Sequence, residues 1–215
     1  MKILTFTAGP FVQNGYLAIC ASGEAVAIDP GAGAARMVAV LQEEGAHLDA
    51  ILLTHAHLDH VEGLARLRRH SPAPIWLHPA DRPLYDGVAQ QAVAFGLEVE
   101  ALPPVDHDFA HGQTFGFGTC NLEVRFTPGH APGHVLLYAP EVETAFVGDV
   151  VFQGSIGRTD LPGGDFRQLI ASIREQVLTL PDDTLLLSGH GPATTVGHER
   201  RTNPFLVPHY GGELA

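Results

Sequence analysis

Thr54-His55-Ala56-His57-Leu58-Asp59-His60 follows directly on the apolar run Ala50-Ile51-Leu52-Leu53. That run reads as a buried strand ending where the polar heads begin. On an extended backbone, residues two apart point the same way, so His55 and His57 can grip one ion. Asp59 and His60 lie past the strand end, where the chain turns into a helix, and can face a second ion. Three imidazoles and a carboxylate in so short a stretch suit zinc, iron or manganese rather than calcium or magnesium. A helix start capped by Asp59 is the plain alternative, but a cap needs one polar residue and not four.

The same device recurs further along. Leu122 to Phe126 leads into Thr127-Pro128-Gly129-His130, Thr144 to Val147 into Gly148-Asp149, and Thr184 to Leu187 into Ser188-Gly189-His190. Each apolar run ends in a glycine turn and then one metal-binding head. A single histidine or aspartate in a turn is more often a local hydrogen bonder. Repetition at several strand ends points instead to convergence on one sheet edge, where open α/β sheets place ligands.

Around these runs the pattern is mixed α/β. Met1 to Phe6, Tyr16 to Cys20 and Ala25 to Ile28 read as strands, and Gly33 to Glu44 as a helix stopped by Gly45. Leu58 to Arg69 predicts one amphipathic helix ending near His70-Ser71-Pro72. Ile75 to His78 predicts a short strand, and residues 81–104 are weakly helical and interrupted by Pro83, Gly87 and Gly96. Gln113 to Gly118 and Leu122 to Phe126 predict a hairpin, Val135 to Tyr138 and Thr144 to Val147 a second pair, and Phe166 to Leu180 the last long helix.

Composition bounds the class. A chain of 215 residues, 45% hydrophobic and 17% charged, can bury a sizeable core. A net charge of -12 disfavours nucleic-acid partners and anionic membranes. The two cysteines, Cys20 and Cys120, form no close pair. This argues against a disulfide framework or a cysteine zinc site and fits a cytoplasmic protein. No run is long enough to cross a bilayer. His134 is expected to orient or pack; His47, His70, His78, His107, His111, His198 and His209 are read as surface or structural residues.

The ligand-bearing residues His55, His57, Asp59, His60, His130, Asp149 and His190 resemble the complete set of the metallo-β-lactamase superfamily. Gly154 to Asp165 and Arg201-Thr202-Asn203-Pro204-Phe205 resemble its short bacterial glyoxalase-II-like, or hydroxyacylglutathione hydrolase-like, members. The resemblance covers nearly the whole chain. It implies an αββα sandwich, two mixed β-sheets face to face with helices outside, as one domain over residues 1–215. It also implies two divalent ions, zinc first with iron or manganese as alternatives. His55, His57 and His130 would bind one, Asp59, His60 and His190 the other, and Asp149 both.

The implied reaction is hydrolysis of a small thioester such as S-D-lactoylglutathione by a metal-bound hydroxide, with Asp59 orienting the nucleophile. Larger glyoxalase II enzymes carry a helical C-terminal extension with basic residues for the glutathione carboxylates, and little chain remains here after His190. Arg158 is the candidate for an anionic substrate, against a salt bridge to Asp160 or Asp165. The alternatives are a persulfide dioxygenase with a single iron, a lactonase, and a binding protein keeping metal for structure. A nuclease is disfavoured by charge, and a classical β-lactamase by Asp59-His60 and Asp149.

Overall fold

The computed structural model describes residues 1–207, so His209 lies outside the described residues. The first sheet runs in the order β1 (Lys2–Ala8), β2 (Gln13–Ile19), β3 (Glu24–Ile28), β4 (His47–Leu52), β5 (Ile75–Leu77) and β6 (His107–Asp108). The second contains β7 (Thr114–Phe117), β8 (Cys120–Phe126), β9 (Val135–Ala139), β10 (Thr144–Gly148), β13 (Leu185–Ser188) and β14 (Thr194–Thr195). Its spatial order is β14-β13-β10-β9-β8-β7. A small ribbon, β11 (Val151–Phe152) with β12 (Ser155–Ile156), stands beside it. Both large sheets are mixed. β3, β4, β5 and β6 pair in parallel, as do β10 and β13, while the remaining pairs are antiparallel.

Strand periodicity explains the layering. On β2, Leu17 and Ile19 join the cluster beneath the outer helices, whereas Tyr16 and Ala18 face the second sheet. On β9, Val135 and Leu137 face inward while Leu136 and Tyr138 pack outward. Strands buried on both faces read as continuous apolar runs, which is how they look in the sequence. Helices α1 (Ala34–Glu44), α2 (Leu58–Val61), α3 (Leu64–His70), α4 (Arg82–Asp86) and α5 (Val88–Ala94) lie on the first-sheet side. α6 (Phe166–Ser172) and α7 (Val196–Thr202) lie on the other. The expected αββα arrangement is the one observed.

Several local expectations are corrected. The helix after the histidine motif is two helices, broken at Glu62-Gly63. Gly63 packs so close to the backbone that a Cβ there would lie 2.1 Å from the Pro30 oxygen. The last long helix is α-helical only to Ser172 and continues as a π turn over Ile173–Val177. Residues 81–104 resolve into α4 and α5, hinged at Gly87. The ribbon β11–β12, strands β6 and β14, and helix α7 had no sequence expectation. Cys20 and Cys120, 100 residues apart, join in one disulfide, against the expectation from their spacing. Cys20 follows β2 and Cys120 opens β8, and the inter-sheet core brings both to one place.

Candidate metal centre

All seven expected ligand residues sit at one edge of the sandwich. The loop after β4 carries His55 and His57, and the first turn of α2 carries Asp59 and His60. His130 follows β8, Asp149 follows β10, and His190 follows β13. Ligand atoms of His55, His57 and His130 fall within 4.8 Å of one another, as do those of Asp59, His60 and His190. Asp149 stands between the two groups. Its Oδ2 is 3.5 Å from His130 Nε2 and 3.4 Å from His190 Nε2, and its Oδ1 is 3.4 Å from His60 Nε2.

Hydrogen bonds on the far side of each ring decide which nitrogen faces the centre. His130 Nδ1 donates to the Arg158 carbonyl at 2.7 Å, and His190 Nδ1 to the Phe11 carbonyl at 3.1 Å. His60 Nδ1 donates to Asp29 Oδ2 at 2.9 Å. The Thr54 hydroxyl donates to the same Asp29 oxygen at 2.6 Å, so it accepts from His55 Nδ1 at 3.0 Å. In neutral rings these bonds leave a lone pair on each Nε2, aimed inward. His57 is turned the other way, with Nδ1 2.9 Å from His130 Nε2.

His55 Nε2, His60 Nε2 and Asp149 Oδ1 are buried with no hydrogen-bond partner. Unpaired buried polar atoms are costly, and three within one cluster form a donor set suited to divalent metal ions. Asp29, His55 and His60 also cluster closely. Asp29 is excluded as a ligand because Oδ1 accepts the Thr54 amide at 2.7 Å and Oδ2 accepts two further donors.

The two groups differ in charge. Burial, then crowding by other imidazoles, holds His55 well below its ordinary pKa, and burial, then His130, takes His57 down to about 3. Burial also lowers His130. These three rings stay neutral, as ligation requires. Burial opposes charge on His60 and His190 too. Asp149, Asp59 and Asp29 nevertheless raise His60 well above its ordinary value, and Asp149 and Asp59 carry His190 to about 10. Burial favours a protonated Asp149, yet His60 and His190 outweigh it and hold the carboxyl well below its usual range. Asp59 is lowered in the same way, burial being outweighed by His60 and His190.

Sequence reasoning missed Asp29, Thr54 and Asp81. Asp29 follows β3 just before Pro30-Gly31, the strand-then-polar-head signal seen elsewhere, and it sits at φ +48°. Side chains rarely adopt a positive φ, so the surrounding structure holds Asp29 in this conformation. Buried Asp81 accepts from the amides of Ala56, at 2.9 Å, and Gly133, tying the His55–His57 loop to the His130–His134 loop. His134 has the orienting part expected of it: its Nε2 accepts the Asp149 amide at 3.1 Å. Two glycines allow the close approach. A Cβ on Gly189 would lie 2.2 Å from Asp149 Oδ1, and one on Gly148, at φ +46°, 2.4 Å from Thr54 Oγ1.

Above the centre lies a cavity of about 490 Å³ whose floor includes His57, Asp59, His130, Asp149 and His190. Arg158 lines it, but the guanidinium makes two 2.7 Å bonds to Asp160. No helix among the described residues is long and apolar enough to cross a membrane.

The family model of the metallo-beta-lactamase superfamily matches residues 8–190. The hydroxyacylglutathione hydrolase GloC of Haemophilus influenzae is 41% identical over 208 residues, 96% of this chain and 97% of that protein. Among solved structures, the BLEG-1 B3 metallo-beta-lactamase gives a TM-score of 0.89 at 38% identity, covering 96% of this chain and 100% of the other. TTHA1623, solved in a di-iron-bound form, gives 0.87 at 45% identity, covering 94% and 100%. On sequence and fold together, this chain belongs to the metallo-beta-lactamase superfamily.

Proposed function

We propose that the chain is a dinuclear metal-dependent hydrolase of small acyl thioesters. The observation that carries this reading is that His55, His60, His130 and His190 each have Nδ1 tied outward and Nε2 turned inward, around a buried Asp149 oxygen with no hydrogen-bond partner. His55, His57 and His130 would hold one ion, Asp59, His60 and His190 the other, and Asp149 would touch both. Divalent ions there, zinc first, would supply Lewis-acid polarisation of a carbonyl and a water that ionises near neutral pH.

The chain's own groups do the rest. Asp59, ionised and on the cavity floor, accepts a hydrogen bond from the attacking water and fixes its direction. Asp29 and Thr54 keep His60 and His55 in one tautomer. The likeness to GloC makes S-D-lactoylglutathione the first substrate to try.

The likeness to BLEG-1 favours a second reading, β-lactam opening at the same centre, and puts a β-lactam in the same assay. Metal-replete protein should contain two metal equivalents by elemental analysis, and its zinc form should hydrolyse a thioester equally with and without oxygen. A plateau at one equivalent, with oxygen uptake on glutathione persulfide by the iron form and no thioesterase in either form, would overturn the proposal in favour of the dioxygenase.

A further inference from the structure

The wall of the 490 Å³ cavity is apolar, and three separate stretches of chain supply it. Phe11 comes from the β1–β2 turn, Leu84 and Phe95 from the α4–α5 segment, and Leu161 and Pro162 from the loop after β12. Phe11 and Phe95 meet edge to face across the mouth, ring centres 5.2 Å apart, and Phe95 remains 51% exposed. An exposed phenylalanine continuous with a reactive floor is surface that a bound apolar group would cover.

The wall offers little to a carboxylate. Among the described residues Arg158 is the one lysine or arginine side chain lining the cavity, and Asp160 already pairs with it. The wall amide of Gln91 is spent on the backbone, donating to Ala56 and Leu84 and accepting from Leu58, which leaves the exposed amide of Gln90 as the wall's uncharged donor. A net charge of -12 also repels an anionic carrier at long range.

We infer that the site takes thioesters bearing an apolar chain that packs on Phe11, Leu84, Phe95 and Leu161, in preference to the charged glutathione carrier. This rests on the hydrolase reading and changes the substrate it favours. The backbone of Phe11 also holds His190, so wall and floor are in fixed register.

The test uses metal-replete full-length protein and two series of neutral thioesters. In one, N-acetylcysteamine carries acyl chains from acetyl to octanoyl; in the other, the acetyl group is fixed and the thiol is lengthened. In the series whose chain lies on the wall, kcat/KM should rise about threefold per methylene over the first few carbons. It should come to exceed the value for S-D-lactoylglutathione. Phe95→Ala should flatten that slope and Phe95→Leu restore most of it.

Calorimetry with uncleavable S-methyl and S-hexyl thioethers of N-acetylcysteamine reads the wall without turnover, and S-hexyl should bind at least tenfold tighter. Tighter binding with no hydrolysis of any thioester would refute the hydrolase reading, and the thioester preference with it, and leave only the apolar wall as a binding surface. Flat rates with flat binding, or a lactoylglutathione value above every neutral thioester, would overturn that preference.

Discussion

At and beneath the floor of the cavity, His55, His60, His130 and His190 each have Nδ1 tied to a named oxygen, and no ring can turn without breaking a bond. On the wall, Phe11 and Phe95 touch each other and solvent, and Arg158 is held only by an exposed partner two residues away. The floor is buried and bound by directional bonds between distant segments. The wall is half open, and its apolar side chains are held by contact alone. Chemistry that needs donors fixed to fractions of an ångström belongs on the first, and recognition that tolerates variation on the second.

Asp149→Asn should break the floor most severely. It removes a carboxylate charge between His60, His130 and His190 and turns an amide group toward one of them. Metal affinity should fall by at least the roughly 10–100-fold typical of even outer-shell changes. Elemental analysis and kcat/KM together check this, and a variant with both metals and near-normal turnover would remove Asp149 from the centre.

Asp29→Asn is the next step down, because the Asp29 carboxylate touches the outer nitrogen of His60 and the amide and hydroxyl of Thr54, not the inward nitrogens. One oxygen can still accept while the other position becomes a donor facing donors. A loss of roughly tenfold in metal affinity is expected, read by competition with a chelator. Unchanged affinity would mean that His60 keeps its tautomer without help.

Asp81 tests whether the two histidine loops need their common anchor. Asp81→Ala leaves the amides of Ala56 and Gly133 unpaired inside the protein, at about 1–3 kcal/mol each, visible in the denaturant midpoint. Burial, opposed by those two amides, raises the Asp81 pKa to about 6. The folded protein therefore binds this proton more tightly than the unfolded chain. The contribution favours folding fully below the ordinary value of 3.8 and is lost as pH rises through about 6. Wild type measured against Asp81→Asn should lose stability across that window, on the order of 1.4 kcal/mol per pKa unit. A difference constant with pH would place Asp81 in its ordinary range.

The same contrast explains what could be read from the sequence. The seven residues of the centre were legible because they follow the ends of apolar strands, His130, Asp149 and His190 directly after a glycine, and strand ends converge when sheets form. The supporting residues are harder to see. Asp81 acts on loops 25 and 52 positions away in sequence, and no local period encodes such a partnership. The Cys20–Cys120 pairing escaped for the same reason, being set by how two sheets face each other. The wall was least legible: in residues 81–104 short helices broken by Gly87 leave weak periodicity, so Phe95 carries no signal of its own.

The smallest effect is expected at Arg158, where wall and floor come nearest to disagreeing about substrate. Its pair with Asp160 is more than half exposed on both sides, and such pairs are worth about 0–1 kcal/mol. The pairing can therefore be traded for another anion at little cost, but it gives the wall no standing positive charge. Arg158→Ala should raise KM for S-D-lactoylglutathione about threefold with kcat unchanged, and leave a neutral thioester untouched. Asp160→Ala should do the reverse, freeing the guanidinium and lowering KM for the anionic substrate alone. Opposite signs on one substrate and silence on the other would show that charge recognition here is an adjustable addition to an apolar wall. A tenfold or larger KM effect of Arg158→Ala would instead make this arginine the main carrier contact and return glutathione to first place.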